Sequence, residues 1–550
     1  GWQASAAPKL AKGVLPICTP PATAVTPPAS GRAVGINLAP LVAYVPEQPT
    51  LNLMKEGTSY SASCAAAGWY TGTGPGNGDT GQECGLQLDA DGYPTGMGGA
   101  AAIYTMIAGP YPDLAPGQTL KYPSGTYRLK FEGLCTVQVT GDGNVTLSNT
   151  AANSYASATF SVTPNEGMKV SITAINSATD HCRDISVVQQ QYAASYDAGA
   201  IFSPAFLSML APFKAVRTMD WDSANNEYAS SSSATPKTPY LWAHRPTLTS
   251  AFWSIVPREA EIALAKQLGV DLWITAPLNY SDSDLKSLGA LVAPQAPGKL
   301  YVELSNEVWN GSFAQFGVAG MLGHALWPTQ DPGGSNNTAN RNYYGMRVAQ
   351  MAQDLAGYAN VIPVLGAQHC DGSDCTWSAT QALQTPYWSG GPASKFLTNG
   401  VVAIAPYWGS TPSAATCTSM TAQPDGGLAQ MFTLVNSDLA SAVTGFGYYA
   451  TMIKSYPGMG LVTYEGGNNY GTNGNCSGWG KLVTSAERDA RMGAAYTAYL
   501  TAWFASSSGI NMIYTDVGQI GGNGAWGLLE SIMQTPPTVA PKYAAVAGFK

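Results

Sequence analysis

The chain has 550 residues, enough for more than one folded unit, and 45% of them are hydrophobic, enough for a large core. Charged residues make up only 11%, against roughly 25% in an average soluble protein, and the net charge is −8. That balance argues against nucleic acid and anionic membranes as partners, because both need clustered Lys and Arg.

A neutral polymer exerts no field and stays open as a partner, and 14 Trp and 29 Tyr offer flat faces suited to sugar rings. No run of about 18 apolar residues occurs, so no membrane span is expected. The start at Gly1-Trp2-Gln3 is read as a mature or truncated form whose signal has been removed. The nine cysteines form no CxxC pair, which argues against a zinc ribbon. With few lysines and much Ser and Thr, they are read as disulfides of a secreted protein, extracellular or periplasmic. The expected pairs are Cys64–Cys84, Cys135–Cys182, Cys370–Cys375 and Cys417–Cys476, leaving Cys18 over.

Residues 1–30, with Pro20, Pro21, Pro27 and Pro28, read as an extended surface arm. Residues 31–98 hold a first buried strand near Ile36 and a long loop that includes a Gly-rich stretch. From 99 to 191 short β-rich runs alternate with turns, among them Thr126–Phe131, Thr136–Thr140, Ala158–Val162, Lys169–Thr173 and Ile185–Val188. Gly141-Asp142-Gly143 is a hairpin signal between two of these runs. This segment is expected to be a β-sandwich, a scaffold by its few aromatics and inserted position, with a carbohydrate-binding module as the alternative.

Residues 192–550 change to strand then helix. The expected strands are Lys214–Met219, Val270–Thr275, Leu300–Ser305, Val361–Leu365, Val401–Ala405, Gly460–Tyr464 and Ile510–Tyr514. Helices are expected at Arg258–Leu268, Asn342–Tyr358 and Ser485–Phe504. Near-continuous apolar strands separated by helices indicate a parallel sheet covered on both faces. With the strand near Ile36 they number eight, and eight closes a (β/α)8 TIM barrel. The sandwich is then an insertion after the first barrel strand.

Glu307 and Glu465 follow the fourth and seventh strands, at the face where barrel enzymes build their sites. Two carboxylates on one barrel mouth suit acetal cleavage. One protonates the departing oxygen while the other attacks or stabilises the oxocarbenium-like centre.

The run Ser305-Asn306-Glu307-Val308-Trp309-Asn310 resembles the strand-four signature of clan A glycoside hydrolases, and Tyr464-Glu465-Gly466-Gly467 is similar to their strand-seven nucleophile. The resemblance implies a retaining enzyme with Glu307 as general acid/base, Glu465 as nucleophile and Asn306 on the sugar 2-hydroxyl. Arg217, in Val216-Arg217-Thr218, matches the strand-two Arg that supports the nucleophile, and Tyr407 matches the strand-six hydroxyl beside it. A closer likeness, to a group of secreted bacterial proteins known mainly as "cellulose-binding", rests on several motifs. These include Gly35-Ile-Asn-Leu38, Leu88-Asp-Ala-Asp-Gly-Tyr-Pro94, Met219-Asp-Trp221 and His244-Arg-Pro246. The sequence departs from many clan A enzymes at strand three, where Ala276-Pro-Leu-Asn-Tyr280 lacks a His, and at strand eight, where Tyr514-Thr-Asp516 replaces the frequent Trp.

The substrate expected on this reading is a β-linked polysaccharide or oligosaccharide cleaved by a monomeric endo-β-glucanase. The alternatives are a β-mannanase, xylanase or exo-β-glycosidase, or a non-catalytic carbohydrate-binding protein. Trp309, Trp408, His369, Tyr514 and Trp526 are the further candidates for substrate contact, the last standing in for the strand-eight Trp. No cofactor and no metal are expected, His181, His244 and His324 being scattered. Asp89 and Asp91 read as a turn, since Ala100 stands where a calcium loop needs Glu. A glycan on Asn310, in Asn310-Gly311-Ser312, would obstruct the cleft in a eukaryotic secreted protein, so a bacterial source is expected.

Overall fold

The computed structural model describes residues 33–58, 67–68, 86–110, 114–332, 337–369, 372, 374, 376–534 and 540–549. The Pro-rich arm, Cys18 and the expected pairs Cys64–Cys84 and Cys370–Cys375 lie outside the described residues.

Eight short, buried strands form the centre of the molecule: β1 (Val34–Asn37), β2 (Ala215–Arg217), β3 (Asp271–Ala276), β4 (Leu300–Leu304), β5 (Val361–Ala367), β6 (Val401–Ile404), β7 (Gly460–Thr463) and β8 (Asn511–Ile513). They run β7-β6-β5-β4-β3-β2-β1-β8 across one sheet, and every neighbouring pair is parallel. The two ends meet where Thr463 N–H donates to the Ile510 carbonyl at 3.1 Å and Met512 N–H donates to Thr463 Oγ1 at 2.7 Å. The sheet is thus an eight-stranded (β/α)8 barrel.

The strands are apolar throughout because both faces are buried. Inward side chains, among them Trp273, Tyr301, Val364, Ala403, Val462 and Met512, fill the barrel. Trp273 and Tyr301 stack there with centroids 5.0 Å apart. Gly35 is required on β1, since a Cβ at that position would lie 2.2 Å from the Met512 sulfur. The outer faces pack under helices such as Arg258–Leu268, Asp282–Val292, Asn337–Asp354 and Leu428–Met452.

Two expectations about helices need correction. The stretch expected as one helix from Ser485 to Phe504 is two, Trp479–Glu487 and Ala490–Ser506. Asp489 leaves helical geometry and its carboxylate accepts from Arg491 N–H, capping the second helix instead of extending the first. The helix expected from Asn342 begins earlier, at Asn337, and ends at Asp354.

Between β1 and β2 the chain builds two further sheets. A five-stranded one contains Ala67–Gly68, Ile103–Ala108, Met168–Ile175, Cys135–Gly141 and Val145–Ser148; a three-stranded one contains Tyr155–Val162, Gly125–Glu132 and Arg183–Gln189. Alternation in Cys135–Gly141 puts Val137 and Val139 inward, against Leu129, Phe131, Val170 and Val187. Gly141 adopts φ 97° at the turn into Val145–Ser148. A disulfide joins Cys135 to Cys182, and a second joins Cys417 to Cys476 beside the barrel, both as paired in the sequence reading. Asn52 ties this unit to the loop after β1, its Oδ1 accepting from Val187 N–H at 3.0 Å. The turn reading at Asp89 holds: its Oδ1 accepts the N–H groups of Asp91 and Tyr93. Among the described residues no helix is long and apolar enough to cross a membrane.

Candidate active site

The barrel mouth is organised by one buried cation. Arg217, the last residue of β2, is fully buried, and all five of its N–H bonds meet acceptors. Nε and Nη2 donate to Glu303 Oε2 at 3.1 and 2.9 Å, and Nη2 also donates to Asn306 Oδ1 at 2.9 Å. Nη1 donates to Asn37 Oδ1 at 2.9 Å and to Glu465 Oε1 at 2.7 Å. Burial by itself disfavours the charge, yet the Glu303 and Glu465 carboxylates hold the guanidinium pKa above its ordinary value. The fork geometry of arginine lets one side chain fix groups from β1, β2, β4 and β7 at once.

Glu465 follows β7 by two residues. Its second oxygen, Oε2, accepts from the Tyr407 hydroxyl at 2.9 Å. A guanidinium on one oxygen and a phenol on the other thus hold both carboxylate oxygens in place.

Glu307 stands on a strained turn. Ser305 and Glu307 have φ of 57° and 43°, the left-handed region that costs non-glycine residues of order 1–3 kcal/mol. The turn is held by Ser305 N–H to the Ala276 carbonyl at 2.6 Å and Asn310 N–H to the Glu307 carbonyl at 2.7 Å. The carboxyl group accepts from the Tyr464 hydroxyl at 2.6 Å and from Asn310 Nδ2 at 2.8 Å. Burial first, and then the negative charge of Glu465, push its pKa up to about 7 against those two bonds and the Arg217 charge. The two glutamates therefore sit in different electrostatic settings, one paired with a cation and one beside an anion.

The structure brings together most of the residues that the sequence singled out. Asn306 is buried, with Oδ1 on Arg217 and Nδ2 donating to Asn225 Oδ1 at 3.1 Å. Tyr514 lies edge-on to both Tyr407 and Trp526, with centroids 6.5 and 5.9 Å apart. Trp526 is fixed by its indole N–H on Asn469 Oδ1 at 2.8 Å. Trp309 presents its carbonyl to Arg341 at 3.2 Å, while its indole N–H is buried and meets no acceptor among the described residues.

Two candidates are not brought to this cluster. Trp408 is a core residue, 2% exposed and packed edge-on to Tyr470 and Tyr496. Strand-end position alone misled there, because Trp408 belongs to a short second pairing of Tyr407–Trp408 with Gly467–Asn468 that turns its ring inward. His369 packs against Phe446 on the helix Leu428–Met452, with centroids 6.2 Å apart, on the helix side of β5.

Glu303, Asn37, Asp220 and the hydroxyl of Tyr464 escaped the sequence reading. Glu303 carries a legible signal, a lone acid inside the apolar strand Leu300–Leu304. It is fully buried, bonded by Arg217 and by the Trp273 indole at 2.9 Å, and burial raises its pKa. Asn37 ends β1 and donates to the Tyr464 and Ile513 carbonyls, lacing β1 to β7 and β8.

No family model matches the chain, and no curated protein does. Among solved structures it is similar to a fungal β-1,4-galactanase, at 12% identity and a TM-score of 0.34, covering 63% of this chain and 91% of that one. It is also similar to a GH5-4 broad specificity endoglucanase from Clostridium acetobutylicum, at 11% identity and 0.32, covering 63% and 89%. A third is the β-glycosidase of the hyperthermophile Thermosphaera aggregans, at 10% identity and 0.33, covering 63% and 84%. Likeness at this level carries no argument about chemistry, which rests on the residues themselves.

Proposed function

We propose that the protein is a retaining glycoside hydrolase acting on a β-linked polysaccharide, as an endo-β-glucanase. Glu307 is the general acid/base and Glu465 the nucleophile. One observation carries the reading: two carboxyl groups at the ends of β4 and β7 share a mouth, but only one is paired with a buried cation. In the first step Glu465 attacks the anomeric carbon while Glu307 gives its proton to the departing oxygen. In the second, Glu307 takes a proton from water as that water displaces the sugar from Glu465. Asn306 and Tyr407 serve as contacts to the sugar and the nucleophile, and Tyr514 and Trp526 as an aromatic wall. The two disulfides fit an extracellular or periplasmic location, and a monomer needs nothing from a partner to complete this site.

The test is hydrolysis of cellulose, mixed-linkage glucan, xyloglucan, xylan and mannan, followed by azide rescue of two variants. Glu465→Ala with azide should yield an α-glycosyl azide by attack on the vacated face. Glu307→Ala should yield the β-product by attack on the glycosyl-enzyme. Reversed products would exchange the roles, and absence of hydrolysis on every substrate would leave a binding protein.

A further inference from the structure

The turn that carries Glu307 begins where β4 ends, so its carbonyls find no partners along a strand. Among the described residues, the carbonyls of Asn306, Val308 and Trp309 accept from no backbone N–H. Buried carbonyls need donors, and side chains from two later helices supply them. Gln315 Nε2 donates to Asn306 at 2.7 Å, Asn340 Nδ2 to Val308 at 2.9 Å and Arg341 Nη2 to Trp309 at 3.2 Å. Gln315 is fully buried and Asn340 is 1% exposed, so water does not compete for these bonds.

Each amide also ties the turn to a second element. Gln315, in the helix Ala314–Leu326, donates from the same nitrogen to Asn225 Oδ1 at 2.8 Å, the atom that also accepts from Asn306 Nδ2. Asn306 is thereby fixed at backbone and side chain, with its Oδ1 facing Arg217. Asn340, in the helix Asn337–Asp354, donates as well to the Phe316 carbonyl at 2.9 Å, and its Oδ1 accepts from Arg341 Nη1 at 3.0 Å. Both amide nitrogens face backbone carbonyls, which can only accept, so their orientation is settled. Further along the turn, Asn310 donates to Glu307 twice, from its N–H to the carbonyl and from Nδ2 to Oε2. Val308 and Trp309 lie between these two residues, so holding their carbonyls keeps Asn310 on the carboxyl group. Neutral amides do this without adding charge, whereas a lysine in their place would favour ionised Glu307 and weaken the acid.

We infer that Gln315 and Asn340 are positioning residues for Glu307, holding the turn 305–310 so that its carboxyl group stays on the Tyr464 and Asn310 donors. The inference rests on the glycosidase reading. Left-handed backbone at Ser305 and Glu307 persists only where the surroundings over-determine it, and bonds on both sides of Glu307, at 306 and 308, provide that.

The experiment uses full-length Gln315→Met and Asn340→Leu, which keep volume and remove the donors. The value of kcat/KM is measured on an oligosaccharide that the wild type cleaves and on the dinitrophenyl glycoside of the same sugar. It should fall about tenfold or more on the oligosaccharide and less than about threefold on the aryl glycoside, because proton donation matters only for the poor leaving group. The titration of Glu307 is followed by carboxyl-carbon NMR, with Glu307→Gln to assign the signal. It should move up from about 7 by about half a unit or more as the Tyr464 and Asn310 bonds, which favour the ionised form, loosen. Gln315→Asn and Asn340→Ser keep a shorter donor. Where the larger change prevents folding, they should show both effects at smaller amplitude. Equal losses on the two substrates in folded variants, or an unmoved Glu307 titration in all of them, would overturn the inference and leave the glycosidase reading intact. If the wild type hydrolyses nothing, that reading falls, and the titration alone decides whether the two amides position Glu307.

Discussion

Tyr464 precedes Glu465 in the chain, yet its hydroxyl donates to the other glutamate, reaching Glu307 Oε1 at 2.6 Å. Its ring meanwhile carries the Arg217 guanidinium at 5.1 Å, and its carbonyl accepts from Asn37. One residue thus links the acid, the nucleophile and the cation. The bond favours the ionised form of Glu307 and so opposes the burial that raises its pKa. Tyr464→Phe keeps the ring and deletes the bond. The alkaline limb of the pH–rate profile should then move up by about one unit, since a bond to a charged group is worth about 1.5–3 kcal/mol and a unit is 1.36. An unmoved limb would show that the bond does not set the proton affinity of Glu307.

In the unaltered protein, Glu307 must carry its proton to act as an acid. It loses that proton as pH rises through about 7, so kcat/KM should fall on the alkaline side with a midpoint near that value. Glu307→Gln should remove this limb. It should also slow substrates with poor leaving groups far more than activated aryl glycosides, which depart with little help. Equal losses on both substrate types would assign the acid elsewhere.

Arg217 pairs with two buried carboxylates, Glu303 and Glu465, so its removal strands both. Arg217→Met should cost about 3–5 kcal/mol in denaturant unfolding, the range for breaking a buried pair. Glu303→Gln leaves Arg217 with Glu465 and keeps an acceptor, so it should cost less than half as much. A similar loss from both would mean that burial of the strand positions, and not the charge network, sets the stability.

Burial pushes Glu56 and Glu227 up to about 8 and Asp220 up to about 7. Each pKa is raised on folding, so the stabilisation is complete below the unfolded value near 4–4.5 and is lost as pH rises through the folded one. Unfolding free energy should therefore decline from pH 5 to pH 8, by up to about 1.4 kcal/mol per pH unit for each group that titrates over that range. Glu56→Gln or Glu227→Gln should flatten the decline. A free energy that rises over this range would contradict the sign.

The sequence determined the barrel, because its eight strands are buried on both faces and their apolar runs need no partner to be read. It also marked Glu307 and Glu465, since a strand end places the next residues at the mouth whatever the neighbouring strands contain. The alternation of Cys135–Gly141 and the Gly141 turn exposed the second β unit for the same local reason. Only the tertiary structure decided which side chains meet. The five bonds of Arg217 join residues up to 248 positions apart, a relation that no local pattern encodes. Glu303 and Asn37 matter because they point into the barrel, and that direction depends on how the sheet closes through Thr463. Trp408 and Trp526 illustrate the limit: both follow strands, but one ring turns into the core and the other stands beside Tyr514, as packing against Tyr496 and the bond to Asn469 dictate.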